Sequence, residues 1–341
     1  QFRPHFKTHQ SRHVGSWFRD VGVDRIAVSS LRMAEYFADD GWSDITLAFP
    51  VNLREMEGIN RLAARIRLQL TVESAPVLRR LREGLRHPAG VFLKIDAGYG
   101  RTGLAHDYSA AIYTVLQEIH PSPMLTLRGL LAHGGDSYHA RDAEDIRRRF
   151  ARTRDRLVIC AAQLREAQPD LIVSVGDTPG CTLAEDFAGI DEIRPGNFVF
   201  YDIMQQELGV CGVQDVAVAL ATPVVALHPE RNEIVVYGGG VHLSKESCND
   251  NGGRMHFGRV VLLTGDGWSP PLPDTSVHRL SQEHGIIRST PEILALLHEG
   301  ALIGILPVHS CLTAECMGGY LLLDGSRADH LAAQPPFPIT L

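Results

Sequence analysis

Gly90-Val91-Phe92-Leu93-Lys94-Ile95-Asp96 is an apolar run broken only by its lysine, and it opens directly into Ala97-Gly98-Tyr99-Gly100-Arg101-Thr102-Gly103. A short apolar run bounded by glycines reads as a buried strand. Three glycines within positions 98–103 imply a tightly turned loop with Arg101 at its tip. A guanidinium there could stabilise a phenolate or carboxylate, or simply pin the loop to Asp96. The same unit recurs on both sides. Further strand-like runs cover 25–30, 44–50, 68–73, 125–133, 171–175 and 192–194, with helix-like runs at 31–39, 53–65, 75–86, 108–119 and 143–167. This rhythm implies parallel strands joined by crossover helices. With 2–7 counted as a strand the total is eight, which predicts a (β/α)8 TIM-type barrel in an α/β protein. Lys7, Asp96, His133 and Gly176 fall at C-terminal strand ends, where such a barrel places its chemistry.

The texture changes after about residue 202. Runs at 216–227, 233–237, 260–263, 301–307 and 320–323 are β-rich and separated by Gly, Pro, Asn and Asp, with one helical stretch at 291–298. The expected organisation is a barrel over 1–205 and a mainly antiparallel β domain over 206–341. The chain opens at Gln1 without an initiator Met, so the N-terminal part of the barrel domain is expected to be missing.

Of 341 residues, 44% are hydrophobic and 21% charged, the balance of a globular chain with a substantial core. A net charge of −7 and the lack of a long Lys/Arg run exclude a phosphate-tracking surface, so no nucleic-acid partner is expected. No apolar stretch approaches the roughly 18 residues of a membrane span. Six cysteines scattered through a chain of this size read as reduced thiols in a cytoplasmic enzyme.

Five segments carry candidate chemistry. In Arg3-Pro4-His5-Phe6-Lys7-Thr8-His9, a lysine at a strand end among apolar neighbours suits a Schiff base, although a lone lysine there is more often a surface residue. Ser174-Val175-Gly176-Asp177-Thr178-Pro179-Gly180 is a turn whose N–H groups and Thr178 hydroxyl suit a phosphate. It fits neither Walker A nor GxGxxG spacing. A second turn, Arg194-Pro195-Gly196-Asn197, could reach the same phosphate from an adjacent strand. His133-Gly134-Gly135-Asp136-Ser137-Tyr138 offers either a histidine paired with a carbonyl or a ring-contacting Tyr138. In Pro307-Val308-His309-Ser310-Cys311, residues i and i+2 of an extended segment would share a side. His309 and Cys311 could then grip one metal, with zinc best matched to imidazole plus thiolate. Glu283 and His284 could add a further ligand or support.

Taken in order, these segments resemble the fold-type III pyridoxal-phosphate enzymes, the alanine-racemase-like barrels, and within them the branch of D-serine dehydratase and D-threonine aldolase. RPHFKTH at 3–9, GYGRTG at 98–103, HGGDSY at 133–138, SVGDTPGCT at 174–182, RPGNFVFYD at 194–202, QEHG at 282–285 and PVHSC at 307–311 carry the resemblance. Where the family often has another basic residue after the lysine motif, this chain has Gln10. The resemblance implies Lys7 as the Schiff-base lysine and catalytic base. It implies Gly176, Asp177, Thr178, Gly196 and Asn197 around the cofactor phosphate, and Arg101, His133 and Tyr138 near the ring or substrate. His309 and Cys311 would bind Zn2+, the metal-bearing β domain would contribute to the barrel site, and the enzyme would be a homodimer.

Within the branch, a His-x-Cys pair resembles the dehydratases and a His-x-Asp pair the aldolases. The expected function is therefore elimination of the β-hydroxyl from a 3-hydroxy-D-amino acid, giving a 2-keto acid and ammonia. Metal-dependent retro-aldol cleavage and racemisation are the alternatives. A non-catalytic cofactor carrier or a metal-only hydrolase stands further off.

Overall fold

The computed structural model describes residues 1–119, 122–166, 168–250 and 252–333. Its described residues form two compact units: residues 1–7 with 14–196, and residues 8–13 with 197–333.

The first unit is built on strands β1 (Ile26–Val28), β2 (Asp44–Pro50), β3 (Arg67–Val72), β4 (Ala89–Asp96), β5 (Leu104–Ala105), β6 (Leu125–Ala132), β7 (Ile172–Val175) and β8 (Glu192–Ile193). Apart from β5, a short addition beside β4, they pair in the order β1-β2-β3-β4-β6-β7-β8, all parallel. The ends are joined by the N-terminal segment, where Phe2 bridges Ile193 and His5 bridges Ala27, both in parallel. That segment is the eighth barrel strand, as the sequence rhythm predicts. Strands β3 and β4 are buried on both faces over most of their length, the condition of a sheet covered by helices.

A polar network crosses the inside of this unit. Arg3 Nη1 donates to Asp44 Oδ1 at 2.6 Å and Arg3 Nε to Glu192 Oε2 at 2.7 Å. Ser174 Oγ donates to Glu192 Oε1 at 2.6 Å and accepts from Arg194 Nη1 at 3.0 Å. Arg3, Asp44 and Glu192 are thus paired, as a low-dielectric interior requires, and Arg194 Nη2 donates to the Ala132 carbonyl at 2.6 Å. Phe6 is fully buried against Phe18, Phe37 and Trp42, with ring centroids 5.1, 4.9 and 5.1 Å away. This aromatic cluster anchors the residue immediately before Lys7.

Helices α1 (Arg12–Asp20), α2 (Leu31–Asp39), α3 (Met56–Ala63), α4 (Ala75–Gly84), α5 (Ser109–Gln117), α6 (Ala143–Arg165) and α7 (Thr178–Leu183) accompany the strands. The expected helix 53–65 begins instead with a tight turn, Leu53–Glu55, capped by the Asn52 side chain. The expected helix 143–167 ends at Arg165, and Ala167 lies outside the described residues. Helix α1 is missing from the sequence pattern because Gly15 interrupts it. A Cβ at Gly15 would stand 3.3 Å from the Phe6 ring, so close packing selects the glycine.

The second unit is a closed antiparallel barrel. Strands β9 (Leu220–His228) and β10 (Glu233–Tyr237) are followed by a small ribbon, β11 (Cys248–Asn249) and β12 (Met255–His256). Then come β13 (Gly258–Thr264), β14 (Gly267–Trp268), β15 (Ser276–Leu280), β16 (His284–Arg288) and β17 (Leu302–Pro307). The order β13-β15-β16-β10-β9-β17 returns to β13, closing a ring of six strands. The core is Val224, Ile234, Val236, Val260, Val277, Ile287, Ile303 and Ile305 with their neighbours. Strands β15 and β16 carry His278, Arg279 and Arg288, which blur the apolar signal. The helix expected at 291–298 is only Pro291–Leu294, and the run at 320–323 gives only a short Tyr320–Leu321 strand paired with Arg327–Ala328.

Candidate functional site

In the first unit the chemistry gathers at the C-terminal ends of barrel strands. Asp96, at the end of β4, accepts backbone N–H groups of Gly98 at 2.8 Å, Tyr99 at 2.9 Å and Gly100 at 3.1 Å. Gly98, Gly100 and Gly103 adopt φ of +113°, +76° and +119°, conformations that favour glycine. The carboxylate of Asp96, not Arg101, thus pins this loop. Arg101 lies over the Tyr99 ring, 5.0 Å from its centroid. Tyr99 in turn meets His133 edge-on with centroids 6.0 Å apart. A Cβ at Gly135 would sit 2.5 Å from Tyr99, which accounts for the paired glycines after His133.

His133 Nδ1 lies 2.5 Å from the Gly176 carbonyl and donates to it. Burial, followed by the charges of Lys7, Lys94 and Arg101, holds this histidine well below its usual pKa. A neutral imidazole donating through Nδ1 leaves Nε2 as an acceptor. Tyr138 is half-buried in the turn Gly135–His139. Lys7 itself is exposed, one residue beyond the buried Phe6.

Lys94, the one charge inside its apolar strand, is a residue of this set that the strand pattern alone does not assign. It is 3% exposed, and burial, followed by Arg194 and Arg101, lowers its pKa to about 7. The signal was present: a charge inside an otherwise apolar run needs a reason.

The two glycine turns meet, since the Gly196 N–H donates to Thr178 Oγ1 at 3.3 Å. A Cβ on Gly176 would come within 2.8 Å of Arg194 Cβ, so this approach requires glycine. The Asp177 side chain serves the turn itself. Its carboxylate caps α7 by accepting from Gly180 N at 2.5 Å and takes the Ser137 hydroxyl at 2.7 Å. Burial pushes its pKa up to about 6. A carboxylate so engaged shapes the turn and is no phosphate donor. The first-unit set fits an anionic cofactor: the cationic side chains of Lys7 and Arg101 act on His133, beside two turns with backbone N–H groups.

The side chain of Asn197, expected beside a phosphate, belongs to the second unit. Its Nδ2 donates to Asp202 Oδ2 at 2.6 Å and to Ser310 Oγ at 3.0 Å, and lies 3.6 Å from Cys311 Sγ. His309 is not followed by an extended segment. It is the cap of a helix, Ser310–Met317, and Cys311 stands in the first turn. The two side chains nevertheless meet. Burial lowers the His309 pKa, but the hydrogen bond and charge of Cys311, then Asp202 and Glu246, outweigh it and raise it to about 9. Asp202 is fully buried and accepts from Ser310 N at 3.0 Å and Gln205 N at 3.0 Å, with its Oδ2 3.9 Å from His309 Nδ1. Cys311 Sγ lies 3.2 Å from Thr8 Oγ1.

Imidazole and thiolate side by side fit a borderline-soft divalent ion. Among the described residues, no group of three or more His, Cys, Asp and Glu is arranged to hold a metal. Glu283 and exposed His284 therefore do not complete a ligand set, and the pair would leave coordination positions open.

The comparisons agree with this division. The model of the alanine racemase N-terminal domain matches residues 2–203, and a serine dehydratase domain matches 217–323. D-threo-3-hydroxyaspartate dehydratase from Delftia sp. (strain HT23) is 29% identical over 339 residues, 96% of this chain and 88% of that protein. D-serine dehydratase from Dictyostelium discoideum is 29% identical over 351 residues, covering 95% and 87%. The solved Delftia enzyme superposes with a TM-score of 0.88 at 27% identity, over 98% of this chain and 91% of that one. A variant of it has been solved in a metal-free form.

Proposed function

Since this chain belongs to the family of the alanine racemase N-terminal domain, we propose that it is a pyridoxal-phosphate- and zinc-dependent dehydratase of 3-hydroxy-D-amino acids. The chain is a pyridoxal-phosphate-dependent lyase of the D-amino-acid dehydratase type. The observation that carries the finer one is the meeting of His309 and Cys311, with Asp202 behind them.

Lys7 would hold the cofactor through its amine. Thr178 and the backbone N–H groups of the two glycine turns would hold its phosphate, and Arg101 and His133 would flank its ring. Bound there, the cofactor supplies an electron sink for a carbanion at Cα. His309 and Cys311 would hold the metal, which supplies Lewis acidity toward a β-hydroxyl. The work of the chain's own groups follows. Lys7 Nζ, freed when the substrate's amine takes its place on the cofactor, would take the α-proton as general base. His133, kept neutral, adds no charge of its own. Arg101 is held at one height by its contact with Tyr99. Loss of the β-hydroxyl and hydrolysis of the released enamine give a 2-keto acid and ammonia.

The same proposal includes a homodimer acting in the cytoplasm. All six cysteines are free thiols, as a reducing compartment keeps them, and among the described residues no helix is long and apolar enough to cross a membrane. Keto-acid release from D-serine, D-threonine and D-threo-3-hydroxyaspartate, set against their L-isomers, tests the proposal. Turnover of D-isomers that Lys7→Ala abolishes supports it. Turnover that survives Lys7→Ala removes Lys7 as the base.

A further inference from the structure

We infer that Thr8 is a positioning residue for the metal pair, its hydroxyl holding the Cys311 sulfur in place. The inference rests on the assignment of the metal to His309 and Cys311.

Thr8 is fully buried, Cys311 is 9% exposed, and Thr8 Oγ1 lies 3.2 Å from the sulfur. As a thiol, Cys311 donates to Thr8. A metal takes only the thiolate, which has no proton to give, so on loading the Thr8 hydroxyl becomes the donor. Asn197 Nδ2 also lies 3.6 Å from this sulfur, but gives its two N–H groups to Asp202 and Ser310 at 2.6 and 3.0 Å, which leaves Thr8 as the donor to Cys311. A thiolate held by a fixed donor is oriented before the ion arrives, as hydrogen-bonded ligands generally are.

The donor is fixed because its segment is stitched down residue by residue. Tyr320 Oη donates to the His9 carbonyl at 2.6 Å, and Leu331 N to the Gln10 carbonyl at 2.8 Å. Gln10 Nε2 bonds Glu315 of the Cys311 helix, and Ser11 Oγ donates to Asp329 at 2.9 Å. Gln10 is held at φ 44°, a left-handed conformation uncommon for a residue with a side chain. Such strain persists only where surrounding contacts over-determine it.

The test is the zinc affinity of the holoenzyme, measured with Zn2+ alone by competition with a chromophoric chelator. Thr8→Val, which keeps the shape and removes the hydroxyl, should weaken zinc about 10- to 100-fold. Thr8→Ser should restore it. With Co2+ in place of zinc, the thiolate-to-cobalt absorption should shift in Thr8→Val and return in Thr8→Ser. A packing defect alone would not be rescued by the smaller serine. If Thr8→Val melts early, Thr8→Ala provides the same comparison at the same sulfur. Wild-type affinity in Thr8→Val, with zinc lost from Cys311→Ala, overturns this inference alone. Wild-type zinc binding in both Cys311→Ala and His309→Ala overturns the metal assignment beneath it.

Discussion

Arg3 and Glu192, separated by 189 positions in the chain, form a buried ion pair with Nε 2.7 Å from Oε2. The pair joins the first barrel strand to the last, and the same guanidinium reaches Asp44 at 2.6 Å. It therefore fixes the strand that carries Lys7 from both sides. Removing one partner of such a group leaves buried carboxylates without compensation, which is far costlier than the pair's net contribution.

Arg3→Met should accordingly destabilise the protein by about 3–5 kcal/mol, read from the denaturant midpoint at unchanged slope. A loss below about 1 kcal/mol, the scale of an exposed pair, would show that the carboxylates find other partners.

Lys94 gives a pH prediction. Its pKa falls from 10.5 to about 7 on folding, first because of burial. The folded state thus disfavours the charged form, so the penalty is complete below pH about 7 and fades as pH rises toward 10.5. In cofactor-stripped protein, Lys94→Met should be stabilising at pH 6 by a few kcal/mol at most, and the gain should shrink steadily up to pH 10. A gain that does not change with pH would mean Lys94 is not titrating in this range.

Gly176→Ala probes the meeting of the two glycine turns. The added Cβ would lie 2.8 Å from both Arg194 Cβ and the Arg194 carbonyl oxygen, so backbone must move. Overpacking of this kind costs about 1–3 kcal/mol. Pyridoxal-phosphate affinity should fall by roughly tenfold or more, a change of about 1.4 kcal/mol in binding. Unchanged affinity would separate this turn from the phosphate.

Much of this architecture is legible in the sequence because burial on two faces leaves near-continuous apolar runs. Strands 44–50 and 233–237 and helix 31–39 match their expected bounds. What escaped is where tertiary need outweighs local pattern. Lys94 looks like a mere interruption of its strand until the barrel interior brings Arg194 and Arg101 beside it. Helix α1 hides behind Gly15, which answers to the Phe6 ring. The helix after His309 was concealed by an i, i+2 spacing that seemed to require an extended chain. The side chains of Asp177 and Asn197 go to a helix cap and to Asp202 and Ser310, partners that turn composition does not encode.

Metal removal should separate the two functional sets. Chelation, or His309→Ala or Cys311→Ala, should lower elimination on the order of 100-fold or more, the scale of several kcal/mol of Lewis-acid assistance. The cofactor's absorbance should remain, since Lys7 and the glycine turns are untouched. Joint loss of metal and cofactor would contradict this separation.

The most direct measurement is the product of D-threonine turnover by the zinc-loaded holoenzyme. The account predicts 2-oxobutyrate and ammonia in equal amounts, through loss of the β-hydroxyl with the Cα–Cβ bond intact. Glycine and acetaldehyde as the main products would contradict it, and would make the His309–Cys311 pair the centre of a retro-aldol enzyme.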